Sequence, residues 1–375
     1  MTDSAALAGI VKIRKGKKVE SYQHNPADGF VRYIQIGDLR NDNGIKYTAS
    51  RGVEVHPKHV IIAWDGANAG TVGYGLSGVI GSTLARLEID THYFDVGFFG
   101  RFLQSKSKYL RDRATGATIP HIDKKTLMSL RIPVIPLEDQ KRIVSYLNQA
   151  DALRRKRRES MKLLDGYVQA VFMEMFGDPV TNPKNWPKEK FGKLGTLDRG
   201  KSKHRPRNAP ELLGGSHPLI QTGDVAQSNI LIRNYKSTYS DFGLKQSKKW
   251  PTGTLCITIA ANIADAGILT FDACFPDSVV GFVPDPEKTN NLFVLYWLSF
   301  LKEIIEKNAP QVAQKNINLR ILRDLDLIVP PVNLQNEFQK IVLQVEEIKE
   351  KMFSQSLEID NQFNALMQKA FVGAI

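Results

Sequence analysis

Short apolar runs alternate with glycine- and proline-bearing breaks over two stretches of the chain, and each stretch ends in a long amphipathic segment. Val31 to Ile36, Val60 to Ala63, Val79 to Leu87, Thr254 to Ile259 and Val279 to Val283 are rich in β-branched residues and predict strands. Gly-Asp, Asn-Gly and proline-containing stretches break them. From Glu138 to Phe176, and again after Pro330 and Pro331, the apolar spacing becomes helical. Pro133 and Pro136 precede the first helix. Proline is tolerated at a helix start and excludes helix upstream. In the second helix Phe338, Val345, Met352, Ile359 and Leu366 recur every seventh residue. Ile341 and Ile348 form a companion row, which Gln355 and Gln362 continue as polar residues, so the pattern is that of a coiled coil with a polar stretch. The first helix carries Ile143, Ala150, Arg157, Leu164 and Val171, broadened by Leu147, Leu153, Met161 and Val168. Unbroken, it would span about 58 Å. Its stripe must be buried, and the other long helix, running antiparallel, is the simplest partner. The alternative is that each helix packs on its own domain.

The chain also repeats itself. Tyr33-Ile34-Gln35-Ile36-Gly37-Asp38-Leu39 returns as Leu219-Ile220-Gln221-Thr222-Gly223-Asp224-Val225, and Asn68 returns as Asn262. Ile119 to Ile122 aligns with Gln314 to Ile317, Pro133 to Gln140 with Ile328 to Gln335, and Phe176 with Phe371, all at an offset of 195. Matches preserved in order over this length indicate duplication. The expected fold is α+β: two duplicated mixed α/β domains joined by two long antiparallel coiled-coil helices, with pseudo-twofold symmetry. The boundaries are 1–135 for the first domain, 136–177 for the first helix, 178–190 for a linker, 191–330 for the second domain and 331–375 for the second helix. Phe176-Gly177-Asp178-Pro179, followed by Pro183 and Pro187, reads as a helix stop and an extended linker.

Composition narrows the function. The 375 residues carry a net charge of +12, which favours a polyanionic partner, nucleic acid before an acidic membrane. Cys256 and Cys274 have no zinc-site or disulfide-framework spacing and read as small buried apolar residues. Met1 to Gly9 lacks the pattern of a signal peptide, and the most apolar run, Leu292 to Leu301, is too short to span a membrane. A cytoplasmic protein without a membrane partner is expected. No glycine-rich phosphate loop, Asn-Pro-Pro-aromatic motif, GxSxG elbow or HExxH is present, and Pro276-Asp277 and Pro284-Asp285 lack the downstream acidic-x-Lys of a nuclease. No catalytic residue and no metal site are assigned.

DNA-facing residues are more plentiful. Arg199, Lys201, Lys203, Arg205 and Arg207 form a basic loop, matched in the first half by Arg14, Lys15, Lys17 and Lys18. Such clusters suit phosphate contact. Planar side chains that could read base edges are Gln35, Arg51, Asn68, Arg113 and His121 in the first half. In the second half they are Gln221, Lys245, Gln246, Lys248, Asn262, Gln314, Lys315 and Asn316. The run from Arg154 to Arg158 lies in mid-helix and is read as either a DNA- or partner-facing surface or a solvated one.

Pro136-Leu137-Glu138-Asp139-Gln140-Lys141-Arg142-Ile143-Val144, Ala150-Asp151-Ala152-Leu153-Arg154 and Phe176-Gly177-Asp178-Pro179 resemble the first conserved helix region of type I restriction–modification specificity subunits. Gln221 to Val225, Ala260 to Ile263, Phe275 to Val279 and Ala313 to Asn318 resemble one target-recognition domain of that family, and Pro330-Pro331 with Leu334-Gln335 resembles the start of its second helix. The first half departs more, with Trp64-Asp65-Gly66 and Ile119-Pro120 where the second has Ile259-Ala260-Ala261 and Gln314-Lys315. The resemblance implies a non-catalytic subunit whose two domains read the halves of a split, asymmetric double-stranded DNA target. The helices would act as a ruler and dock two methyltransferase subunits, through faces bearing Ile143, Leu147, Leu153, Leu164, Phe338, Val345, Met352, Ile359 and Leu366. No cofactor belongs to this chain. S-adenosylmethionine is implied for the methyltransferase subunits, and ATP and Mg for restriction subunits that join them. A coiled-coil scaffold that reads no DNA, and an enzyme of unrecognised type, are the competing readings.

Overall fold

The computed structural model describes residues 3–40, 44–116, 118–259, 265–308 and 318–372. The chain forms two compact units, one of Met1–Glu159 with Phe353–Ile375, the other of Ser160–Met352. The boundary passes through both long helices rather than at their ends, so neither helix is a domain of its own.

In the first unit an antiparallel sheet has the strand order Val11–Lys15, Leu84–Ile89, Val60–Ala63, Val72–Tyr74. A second, mixed sheet runs Lys46–Thr48, Val31–Ile34, Gly78–Ile80, Val53–Val55. Ser4–Ala6 pairs with Arg131–Pro133. The second unit repeats this strand by strand. Gly195–Arg199, Val279–Pro284, Leu255–Thr258 and Ala266–Leu269 form the first sheet, with Leu231–Ile232 as an added edge. Ser237–Tyr239, Leu213–Leu219, Ala273–Cys274 and Lys249–Trp250 form the second, and Lys188–Lys190 pairs with Asp326–Ile328. Val60–Ala63 and Leu255–Thr258 are buried along their whole length, as expected of continuous apolar runs in a sheet interior.

Three expectations are corrected. Val79 to Leu87 is two strands in different sheets, because the chain turns at Gly81, whose amide donates to the Ile34 carbonyl. Residues 178–190 are not an extended linker. The Trp186 indole N–H donates to the Phe176 carbonyl, Lys184 donates to the carbonyls of Glu174 and Met175, and Lys188–Lys190 is a paired strand. The heptad seam also drifts. Phe338 and Val345 are buried, but Met352, Ile359 and Leu366 are half-buried, and burial passes to Phe363, Met367, Ala370 and Phe371. A straight helix has 3.6 residues per turn, so a seven-residue row rotates off its face. Val342, not Ile341, is the buried companion, and Ile348 and Leu153 are exposed.

The long helices, Leu137–Phe176 and Val332–Val372, are partners within each unit. Ile143 and Leu147 share the first unit's core with Phe363 and Met367, while Val168, Phe172 and Phe176 share the second's with Phe338, Val342 and Val345. The start of each helix meets the end of the other, so they run antiparallel. Ile143, Leu147, Phe338 and Val345 are thus consumed inside the chain and present no face to another subunit.

Two buried glutamines anchor these helices. The Gln140 Nε2 donates to the carbonyls of Tyr93 and Ile135, and its Oε1 accepts from the Asp95 amide. The Gln335 Nε2 donates to the carbonyls of Lys288 and Pro330, and its Oε1 accepts from the Asn290 amide and the Thr289 hydroxyl. Each partner pair lies 195 positions apart, so the duplication extends to individual hydrogen bonds.

It extends to charges as well. Arg154 bridges Asp151 and Asp360 in the first unit, and Lys349 bridges Glu346 and Asp165 in the second. These residues are again 195 apart in pairs. Arg154 also lies 4.2 Å over the Phe363 ring. Arg155 pairs with Asp151, Arg158 with Asp360, and Arg157 donates to Gln355. Arg154, Arg157 and Arg158 of the cationic run therefore tie the helices together, while Arg155 pairs within its own helix. Partial burial raises the affinity of Asp360 for a proton, but the Arg154 hydrogen bond and the Arg154 and Arg158 charges outweigh it and hold the carboxyl below its ordinary range. Burial likewise pushes the Asp151 carboxyl up, but the hydrogen bonds and charges of Arg155 and Arg101 outweigh it and hold it below its ordinary range. A lowered folded-state value contributes stability above the unfolded value and loses it as pH falls through the folded one. The first unit should therefore lose stability progressively below about pH 4, and Asp360→Asn should blunt that loss. An unchanged acid titration of the variant's unfolding would contradict this.

Candidate nucleic-acid interface

In both units an edge strand of the first sheet delivers a basic loop at a glycine. Lys15 ends its strand, and the Gly16 amide donates to the Leu84 carbonyl at 2.8 Å. Arg199 ends the equivalent strand, and the Gly200 amide donates to the Val279 carbonyl at 2.9 Å. A Cβ on Gly16 would lie 2.1 Å from the Gly81 carbonyl oxygen, and one on Gly200 would lie 2.2 Å from that of Phe275. Only glycine lets the backbone pass so close.

Three loops meet beside Lys15 in the first unit. Its ammonium pairs with Asp65 at 3.0 Å. Asp65 and Thr115 each form a β-bridge with His121, and the Gly66 amide donates to the Pro120 carbonyl. Asn68 joins from the same loop as Asp65, its Oδ1 accepting from Arg40 at 2.5 Å. Arg113 lies 3.9 Å over the Tyr109 ring. The structure thus gathers Lys15, Asn68, Arg113 and His121, and adds Arg40 and Asp65, which no spacing pattern singled out. Gln35 is partly occupied elsewhere: it caps the turn Ile36–Leu39 through Asp38, and its Oε1 accepts from Lys46 at 2.9 Å. Arg14, Lys17, Lys18 and Arg51 are exposed.

The second unit has the same plan with different side chains. The Gln246 Oε1 accepts from the amides of Lys203 and His204, so Gln246 holds the basic loop from beneath. Lys248 lies 3.7 Å over the buried Trp250 ring. Both side chains are thus engaged with the framework of this unit. Arg207 pairs with Asp277 at 2.5 Å, and Arg205 donates to the carbonyls of Ser202 and His204. Gln221 caps Thr222–Gln227 through Asp224, as Gln35 does its own turn. Arg199, Lys201, Lys203 and Lys245 are exposed. Asn262, Gln314, Lys315 and Asn316 lie outside the described residues.

Two homologous mixed α/β units, each carrying a cation-rich loop cluster and each closed by opposite ends of the same helix pair, define a class of internally duplicated proteins. Within it, this chain belongs to the type I restriction modification DNA specificity domain family, whose model matches residues 3–163 and 183–358. It is 27% identical over 190 residues to the type I restriction enzyme MjaVIII specificity subunit of Methanocaldococcus jannaschii, covering 50% of this chain and 45% of that one. The chain therefore spans less than half of that relative. It is 19% identical to the EcoBI specificity subunit of Escherichia coli, covering 99% and 85%. The S subunit from M. genitalium has the same fold, at a TM-score of 0.61 and 14% identity over 99% of this chain and 96% of that one. So does a chain from a type I system studied for complex assembly and conformational transition, at a TM-score of 0.63 and 16% identity over 100% and 98%. Among the described residues no helix is long and apolar enough to cross a membrane.

Proposed function

We propose that this chain is the DNA-reading subunit of a type I restriction–modification complex, with each unit reading one half of an asymmetric duplex target and the chain itself catalysing nothing. The observation that carries this is the repeated delivery of a basic loop at Gly16 and Gly200 on one framework, beside loops whose side chains differ. A shared frame with divergent reading loops suits two different half-sites. The paired helices fix the unread spacer. Methyltransferase subunits hold S-adenosylmethionine and modify adenine, and restriction subunits that use ATP and Mg join them.

Leu153 and Ile348, 195 positions apart, are 54% and 47% exposed on the long helices. Equivalent apolar side chains left outside both cores suit the docking of two copies of one partner. Coexpression with the methyltransferase subunit, followed by mapping of methylated adenines, should return a split, asymmetric motif. Leu153→Asp and Ile348→Asp should each remove one methyltransferase subunit from the purified complex. Binding that ignores sequence in the presence of the methyltransferase would sink the reading and favour a mere scaffold.

A further inference from the structure

Each basic lobe carries one feature that phosphate contact leaves unexplained. Tyr22 is 50% exposed and Phe242 is 52% exposed, and each ring makes a T-shaped pair with a histidine, His24 following the first basic loop and His204 lying within the second. Tyr22 lies 6.3 Å from His24 at 80°, and Phe242 lies 6.1 Å from His204 at 77°. Lys46 stands 4.5 Å over the Tyr22 ring, whose centroid also lies 5.9 Å from that of Tyr33. The Thr48 hydroxyl, within the strand Lys46–Thr48, donates to the Ser21 carbonyl, and the Ser247 hydroxyl, beyond the helix Asp241–Lys245, donates to the Lys201 carbonyl. The rings themselves come from different segments, Tyr22 from the loop and Phe242 from the helix Asp241–Lys245. Two separate routes therefore place an exposed ring beside a histidine and cations.

We infer that Tyr22 and Phe242 are specificity-determining residues that stack on, or wedge into, a base step of their half-sites. This rests on the DNA-reading function proposed above. Aromatic and apolar side chains used in this way read a step through its stacking and deformability rather than its hydrogen bonds. A T-shaped imidazole covers at most one face of the Phe242 ring, while a base stacked on Tyr22 displaces Lys46 from the face it covers.

The test uses the full chain with its methyltransferase subunits and a duplex bearing the mapped motif, with 2-aminopurine placed at successive positions of each half-site. Tyr22→Ala and Phe242→Ala should each weaken specific binding roughly ten-fold, the loss expected for one stacked base. Each should abolish the 2-aminopurine enhancement at one step, in its own half-site only, while the dependence of affinity on salt stays unchanged. Lys203→Gln should instead reduce the salt slope by about one. Phe242→Trp should retain binding, and Phe242→Leu, which keeps apolar bulk without a ring, should not. Alanine variants that bind like the unaltered protein, or a leucine variant that does, would overturn the inference. If the unaltered complex selects no split motif at all, it is the DNA-reading function that fails.

Discussion

Gln335→Leu is expected to lower the unfolding free energy by about 2–5 kcal/mol, because it strands several buried polar groups at once. Leucine matches the glutamine in apolar bulk but returns none of its hydrogen bonds. The Thr289 hydroxyl, at 2.8 Å from Oε1, and the Pro330 carbonyl, at 2.8 Å from Nε2, would both lose their partner in a site without solvent exposure. The Asn290 amide matters further. Asn290 caps the helix Asn291–Asn308 by accepting from the Phe293 amide, so the glutamine positions the residue that starts that helix. Gln140→Leu should act in the same direction but less strongly, since Gln140 holds three groups and no hydroxyl. Urea unfolding of both variants measures this. A Gln335→Leu protein as stable as the unaltered chain would mean that the pocket rehydrates or repacks.

The twin glutamines also show what the amino-acid sequence makes legible. The offset of 195 is visible without coordinates, and the structure keeps it in the hydrogen bonds of Gln140 and Gln335 and in the burial of Phe176 and Phe371. Applied to charges, it would have found the helix clamps too. Arg154 and Lys349, Asp151 and Glu346, and Asp360 and Asp165 all keep their sign at that spacing. Read locally, the run of cations at Arg154 to Arg158 faces DNA, a partner or solvent, because Asp360, which pairs with Arg154 and Arg158, is 206 residues downstream of Arg154. A local charge count cannot see such a partner.

The phase of the helical seam was obscured for a different reason. Five apolar residues at strict sevenfold spacing look like one face, but a straight helix rotates them out of the core, and only Phe338 and Val345 of the five are fully buried. Base readers were the least legible. Whether a glutamine reads DNA or holds a loop depends on which backbone amides lie nearby, and Gln246 is fixed by residues 42 and 43 positions away. Side-chain chemistry suits both roles, so composition cannot separate them.

Phe371→Ala should cost about 3 kcal/mol, and Phe176→Ala closer to 5, although the two residues are equivalent by duplication. Phe176 is fully buried and lies 4.9 Å from Phe293, 5.0 Å from Phe172 and 5.5 Å from Phe338. Phe371 lies 5.2 Å from Phe98 and 5.6 Å from Phe102 and retains slight exposure, so its removal leaves a cavity that is more easily filled. The location of the damage is the sharper expectation. Phe371 is near the far end of the sequence, yet its ring closes the unit whose strands begin at Ser4. Hydrogen exchange should therefore show Phe371→Ala deprotecting the helix Val96–Ser105 and sparing Asn291–Asn308, and Phe176→Ala doing the reverse. Sequence neighbourhood predicts the opposite assignment for Phe371. If both variants opened the same unit, the exchange of helix ends between the units would be wrong. If each opens its own, a Phe371→Ala complex should lose footprint protection over one half-site before the other, which links the swapped helix ends to the independence of the two readers.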